Sequence, residues 1–232
     1  MALTLYYHPL SSFCHKVLIA LCESGTPFTG SVVNLGDKAA SATFFALWPI
    51  GKIPVLRDEA AGRTIPETSI IIEYLEQRYP GPRQLLPRDE ALRLETRLWD
   101  RIFDLYVELP MQEIVGDRMR PEGEKDARGV AAARATLAKA YAMLDERMAG
   151  RSWVVGDAFS MADCAAAPAL FYAGIVAPFA RDYPNAAAYF DRLIRRPSVA
   201  RVLAEARPYF HLFPFKEDIP ERFLSSGTTA AP

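Results

Sequence analysis

The chain opens with a run of β-forming residues, Leu3-Thr4-Leu5-Tyr6-Tyr7, that Pro9 stops, a pattern that predicts a strand. Cys14, Val17, Leu18, Leu21 and Cys22 then fall at i, i+3, i+4, i+7 and i+8, one apolar helical stripe closed by Gly25 and Pro27. A second strand over 28–34 would complete a right-handed βαβ unit with parallel pairing. After an irregular stretch through Trp48-Pro49, Ile53-Pro54-Val55-Leu56-Arg57 and Arg63-Thr64-Ile65 flank a turn at Gly62 and predict an antiparallel hairpin. Ile70, Ile71, Tyr74 and Leu75 predict the face of a following helix, which Tyr79-Pro80-Gly81-Pro82 ends.

Past Pro87 the period is helical throughout. Leu98, Trp99, Ile102, Leu105, Tyr106 and Leu109 predict the buried stripe of one helix, which Pro110 should kink or end. Val130, Leu137, Tyr141 and Leu144 mark the next, and 199–206 a short last helix. The stretch 164–180 lacks charge, but it is mostly Ala, holds Pro168, Gly174 and Pro178, and follows the helix start Ser160-Met161-Ala162-Asp163. It suits a helix buried among others better than a membrane span, which wants about 20 apolar residues. The expected fold is two-domain: an α/β half ordered βαβ then ββα over 1–80, a linker at 81–88, and an all-helical half over 89–216. The aromatic tail from Tyr209 to Phe215 is expected either to close over a pocket or to pack on the helices, and 217–232 to be a flexible end.

Composition narrows the function. With 27 Lys and Arg against 28 Asp and Glu the net charge is −1, and the basic footprint of a nucleic-acid binder is missing. No basic, apolar leader opens the chain, so a cytoplasmic location is expected. Three cysteines are an odd number for a disulfide framework, and Cys14 and Cys22 lie about 12 Å apart along one helix. Reduced thiols are expected. His8, His15 and His211 have no metal-ligand spacing, so no metal site is expected, and Arg192, Arg195, Arg196, Arg201 and Arg207 predict a solvated helix face.

Four motifs occur in order: Leu10-Ser11-Ser12-Phe13-Cys14-His15-Lys16-Val17 after the first strand, Gly51-Lys52-Ile53-Pro54-Val55-Leu56, Pro66-Glu67-Thr68-Ser69-Ile70 opening a helix, and Gly156-Asp157-Ala158-Phe159-Ser160-Met161-Ala162-Asp163. Together they resemble the cytosolic glutathione transferases over nearly the whole chain. The resemblance implies a thioredoxin-like glutathione-binding domain followed by an all-helical domain, with glutathione as co-substrate, a hydrophobic electrophile as second substrate, and a homodimer.

Glutathione brings an ammonium, two carboxylates and a thiol with an ordinary pKa near about 8.5. Lowering that pKa by about two units takes roughly 2.7 kcal/mol, work suited to a hydroxyl donor at a helix N-terminus. From the residues alone, Ser11 or Ser12 reads equally well as a helix N-cap. The resemblance assigns the sulfur contact to Ser11, because the spacing Ser11 to Val17 is similar to the serine-type tau and theta classes; Ser12 and Cys14 are the reserve candidates. Phe13 stands where the zeta-class pattern has Cys, and Ser11 where omega and beta patterns have it, which disfavours isomerase and mixed-disulfide chemistry.

The resemblance further implies a cis peptide at Pro54, with the Ile53 backbone pairing the cysteinyl unit as an added strand. It gives the γ-glutamyl carboxylate to Thr68 and the N-terminus it opens, the ammonium to Glu67 and the glycyl carboxylate to Lys52. Ser160 and Asp163 have capping-box spacing and are assigned to folding. Two other readings stay open: a non-catalytic binding protein of the same fold, and a glutathione-dependent thiol oxidoreductase or peroxidase using Cys14, which would need that thiol exposed and its pKa depressed.

Overall fold

The structure, a computed structural model, describes residues 2–34 and 36–224. Its first half is β1 (Leu3–Tyr7), α1 (Ser12–Ser24), β2 (Thr29–Val32), α2 (Lys38–Leu47), β3 (Val55–Asp58), β4 (Arg63–Pro66) and α3 (Thr68–Arg78). The sheet order is β2-β1-β3-β4, with β1 parallel to β2 and the other two pairs antiparallel. Leu5 lies opposite Leu56, and Leu56 opposite Ile65, so one face carries a row of buried aliphatics for α1 and α3. This is the thioredoxin-like arrangement expected. The helix α2 is an addition, lying where only irregular chain is predicted. Four of its ten residues are Ala, its apolar positions fall on every side rather than in a stripe, and Phe44 is its buried anchor, so no helical period is announced.

The second half is helical: α4 (Glu90–Ile102), a π turn (Phe103–Glu108), α5 (Leu109–Met119), α6 (Ala127–Met148), α7 (Met161–Val176), α8 (Pro184–Ile194), α9 (Pro197–Ala206) and α10 (Glu221–Leu224). The π turn explains how one helix passes Pro110 without ending. The Leu109 N–H bonds the Asp104 carbonyl five residues back, a wider loop just before a residue that has no N–H to give. Helix α7 is buried over nearly its whole length, and its alanines let α1, α4, α5 and α8 close around it. No helix among the described residues is long and apolar enough to cross a membrane.

Three expectations change here. On α4 and the π turn, Trp99, Phe103 and Val107 face inward, whereas Leu98, Leu105, Tyr106 and Leu109 are exposed; the inner face is completed by Asp100, Asp104 and Glu108. Acids inside, apolar groups outside, reverse the usual reading of a helical stripe. Arg196 is not solvated: it forms two bonds to buried Glu23, at 2.6 and 2.7 Å, and joins α9 to α1. The aromatic tail takes the second of its two expected places and packs into the core, with Phe213 against Tyr172, Phe210 stacked on Phe171 and Phe215 under the Arg118 guanidinium. Of the expected flexible end, Ile219 is buried and the Phe223 ring meets Phe171 edge-on, while 225–232 lies outside the described residues.

Asp163 does more than cap α7. Its carboxylate accepts from the Ser160 N–H at 2.8 Å, the Ser160 hydroxyl at 2.9 Å, the Val154 N–H at 3.3 Å and the Tyr189 hydroxyl at 2.5 Å, all in the interior. Asp163→Ala strands these donors, so the expected loss is about 3–5 kcal/mol rather than the roughly 1 kcal/mol of a cap alone. Urea unfolding measures it, and a loss under about 1 kcal/mol would reduce Asp163 to a simple cap.

Candidate functional site

A cleft of about 430 Å³ runs between the two halves. The first half contributes Ser11, Phe13, Trp48, Lys52, Ile53, Pro54, Glu67 and Thr68 to its wall; the second contributes Arg101, Asp104, Leu105, Leu109 and Gln112. The exposed leucines of the π turn and α5 thus have a place: Leu105 and Leu109 are an apolar wall opposite the polar groups of the sheet half.

Two helices begin at this cleft. Ser11 is the N-cap of α1, in extended backbone, and its Oγ accepts from the Cys14 N–H at 3.4 Å. An oxygen that accepts from the backbone still has its own proton to donate, so capping and a contact into the cleft are compatible at one hydroxyl. Glu67 is the N-cap residue of α3 and holds φ at 68°, a left-handed conformation that costs a non-glycine residue about 1 kcal/mol or more. The buried Thr68 opens that helix, and the Ile53–Pro54 peptide is cis where β3 begins. Both helix ends turn unpaired N–H groups and the positive end of a dipole toward the cleft, the arrangement that takes carboxylates and thiolates.

The neighbouring candidates point elsewhere. Ser12 is buried, and its hydroxyl donates to Glu108 Oε1 rather than into the cleft. Cys14 is fully buried and burial pushes its thiol up to about 12, against hydrogen bonds from Ser11 and His8. That corrects the thiol-chemistry reading: an enclosed thiol at such a pKa is neither exposed nor ionised. His15 is also enclosed, driven down to about 4 by burial, with Nε2 2.5 Å from the Pro9 carbonyl. Among the described residues no group of three or more His, Cys, Asp or Glu is arranged to hold a metal ion.

Behind the cleft lies a polar layer that sequence reading misses. Lys16 is 1% exposed, and its Nζ sits 2.6 Å from Asp100 and 2.7 Å from Asp104, with the Ser69 hydroxyl at 3.1 Å. Ser69 in turn donates to Asp100 at 2.6 Å, and Arg101 reaches Asp100 at 2.9 Å as well as Asp104 and Ser69. The layer therefore ties α1, α3 and α4 together directly under the Glu67-Thr68 end. Burial pushes Asp104 above the ordinary carboxylate range despite Lys16. The spacing of acids four residues apart at 100, 104 and 108 is the signal that was available; an apolar-stripe search passes over it.

Comparison with known proteins gives two family matches: residues 5–83 fit the glutathione S-transferase N-terminal domain, and 101–197 the C-terminal domain. The chain is similar to the glutathione S-transferase-like protein LUC7 of a Fusarium species, 32% identical over 195 residues, 81% of this chain and 86% of that one. It is also similar to FtsZ-localized protein A of Caulobacter vibrioides, 31% identical, covering 88% of this chain and 92% of that protein. Among solved structures, a glutathione S-transferase of Methylobacterium radiotolerans in complex with glutathione sulfonate superposes with a TM-score of 0.76 at 30% identity, covering 86% of this chain and 93% of that one.

Removing Lys16 tests the polar layer. Lys16→Met leaves Asp100 and Asp104 facing one half-exposed arginine, and the expected destabilisation is about 3–5 kcal/mol near neutrality. Urea unfolding should show this loss shrinking toward pH 4, as Asp104, whose carboxyl burial already holds above the ordinary range, takes up a proton and no longer needs the cation.

Proposed function

The chain belongs to the glutathione S-transferase family, and on that footing we propose that it binds glutathione in the cleft and activates the thiol for attack on a hydrophobic electrophile. The observation that carries this reading is Ser11: an N-cap hydroxyl on the cleft wall whose acceptor role is filled by the Cys14 N–H and whose proton remains to be given. Hydrogen bonding to the charged form, together with the α1 dipole, favours thiolate over thiol.

In this reading Thr68 and the N-terminus of α3 hold the γ-glutamyl carboxylate, Glu67 the ammonium and Lys52 the glycyl carboxylate. The Ile53 backbone pairs the cysteinyl unit. Residues 1–80 then serve glutathione, and the helical half, through Leu105 and Leu109, offers the electrophile an apolar wall. Conjugation of this kind is how reactive hydrophobic compounds are detoxified, and its place is the cytoplasm. The likeness to FtsZ-localized protein A favours a second reading, in which the same cleft and fold serve binding to another protein rather than turnover.

We further propose a homodimer. Helices α3 and α4 are joined by the paired Glu73–Arg97 bonds at 2.7 Å, and Ile70, Leu94 and Leu98 leave apolar surface exposed on them. Such a face suits a symmetric contact. Light scattering should give about twice the chain's 25.8 kDa, and Leu98→Glu should halve it. A wild-type monomer at micromolar concentration would sink the proposal.

For the chemistry, the ultraviolet absorbance of bound thiolate is titrated against pH. Ser11→Ala should move the bound thiol back toward about 8.5 and depress kcat at neutral pH, with part recovered at alkaline pH. Cys14→Ser should leave the titration in place. If the unmutated protein binds glutathione without lowering its pKa, the binding reading replaces the catalytic one.

A further inference from the structure

Asp100, Asp104 and Glu108 stand at successive i+4 positions on the inner face of α4 and the π turn, all buried. Two groups at the same spacing oppose them from α1. Lys16 takes Asp100 and Asp104; Ser12 donates to Glu108 Oε1. Glu108 is 2% exposed and, among the described residues, forms no ion pair of its own. What faces it is Ser12 from α1, the Gln112 amide from α5 at 3.2 Å, Asp104 one turn back, the Tyr172 phenol from α7, and Lys16, already held by two other acids. Its second oxygen, Oε2, is buried and meets no hydrogen-bond partner among the described residues.

Lys16 and Arg101 supply two positive charges to three carboxylates. Full ionisation would leave one uncompensated negative charge in the interior, which a protein relieves by keeping a proton. Glu108 is where that proton belongs: burial pushes it up to about 7, against the Ser12 hydrogen bond. Ser12 is also the first residue of α1, adjacent to Ser11 on the cleft wall.

We propose that Glu108 keeps its proton below neutral pH and gives it up above, a positioning residue beneath the cleft that fixes Ser12 and the first turn of α1 and, while protonated, leaves that helix end to a single anion, the bound thiolate. This role rests on the reading of Ser11 as the sulfur contact. Ionised Glu108 would put a second negative charge at the same helix end, so proton loss from Glu108 and thiolate formation oppose one another.

The test uses Glu108→Gln, which still accepts from Ser12 and cannot ionise. Without ligand, both proteins are unfolded in urea across pH 5 to 8.5. A carboxyl whose pKa is higher folded than unfolded holds an extra proton in the native state, so wild type loses stability relative to the variant as pH rises toward about 7. The ratio of their unfolding constants should change by about two orders of magnitude. A ratio independent of pH would overturn the proposal. Should the variant not fold, Ser12→Ala serves: loss of the hydroxyl that favours the carboxylate shifts the fall in stability to higher pH, and an unmoved profile is equally fatal.

Calorimetry with glutathione and S-methylglutathione from pH 6 to 9 reads the coupling to sulfur. Wild type should bind glutathione progressively more weakly than Glu108→Gln above pH 7, by roughly fivefold or more, while S-methylglutathione, with no ionisable thiol, shows a constant ratio. If both ligands respond alike, or neither does, Glu108 does not act through the sulfur and the inference fails with glutathione binding intact. If wild type binds neither ligand, the functional reading itself fails, and the role given to Glu108 falls with it.

Discussion

Burying Lys16 constrains how the two halves of this protein meet. An ammonium in the interior is tolerated only where carboxylates neutralise it and its remaining protons find acceptors, and here Asp100, Asp104 and Ser69 do both. These groups come from α4, the π turn and α3, so satisfying one side chain of α1 sets three elements in register. A slip of α4 by one turn would leave a buried carboxylate without its cation. The contribution of such a pair is geometric more than energetic, because desolvation cancels much of the Coulombic gain.

The cleft inherits its precision from that layer. Arg101 and Asp104 belong at once to the ion-pair network and to the cleft wall, and Ser69 directly follows the two residues that open α3 toward the cleft. On the other side the π turn carries Asp104 and Glu108 inward while turning Leu105 outward to the cleft, so one irregular helical segment supplies a buried acid layer and an apolar wall. Polar and apolar functions sit a residue apart, as a helix allows and a strand edge would not.

Burial also sets two of the three cysteines apart from the cleft. Cys14 and Cys164 lie wholly in the core, where burial opposes ionisation. The positive end of α1 is open to the cleft at Ser11 but closed at Cys14 two positions into the helix. Access to the cleft, rather than residue type, is what separates Ser11 from Cys14.

Legible along the chain is what local chemistry controls: the four strands, the helices other than α2, α8 and α10, the starts of α1, α3 and α7, the break at the Pro-Gly turns, and, once the family resemblance is added, residues 11, 52–54 and 67–68 as a set that the structure places on one cleft. Periodicity, proline, glycine and capping side chains act within a few residues of themselves, so they are legible along the chain. The face that α4 turns inward was not, because its acids look solvated until a lysine from 84 residues away is brought against Asp100. Nor was which of Ser11, Ser12 and Cys14 faces the cleft. Successive helix positions point about 100° apart, and which direction is cleft and which is core depends on where the helical half docks. Only the tertiary structure decides that, since the docking is held by groups that meet across the domain boundary.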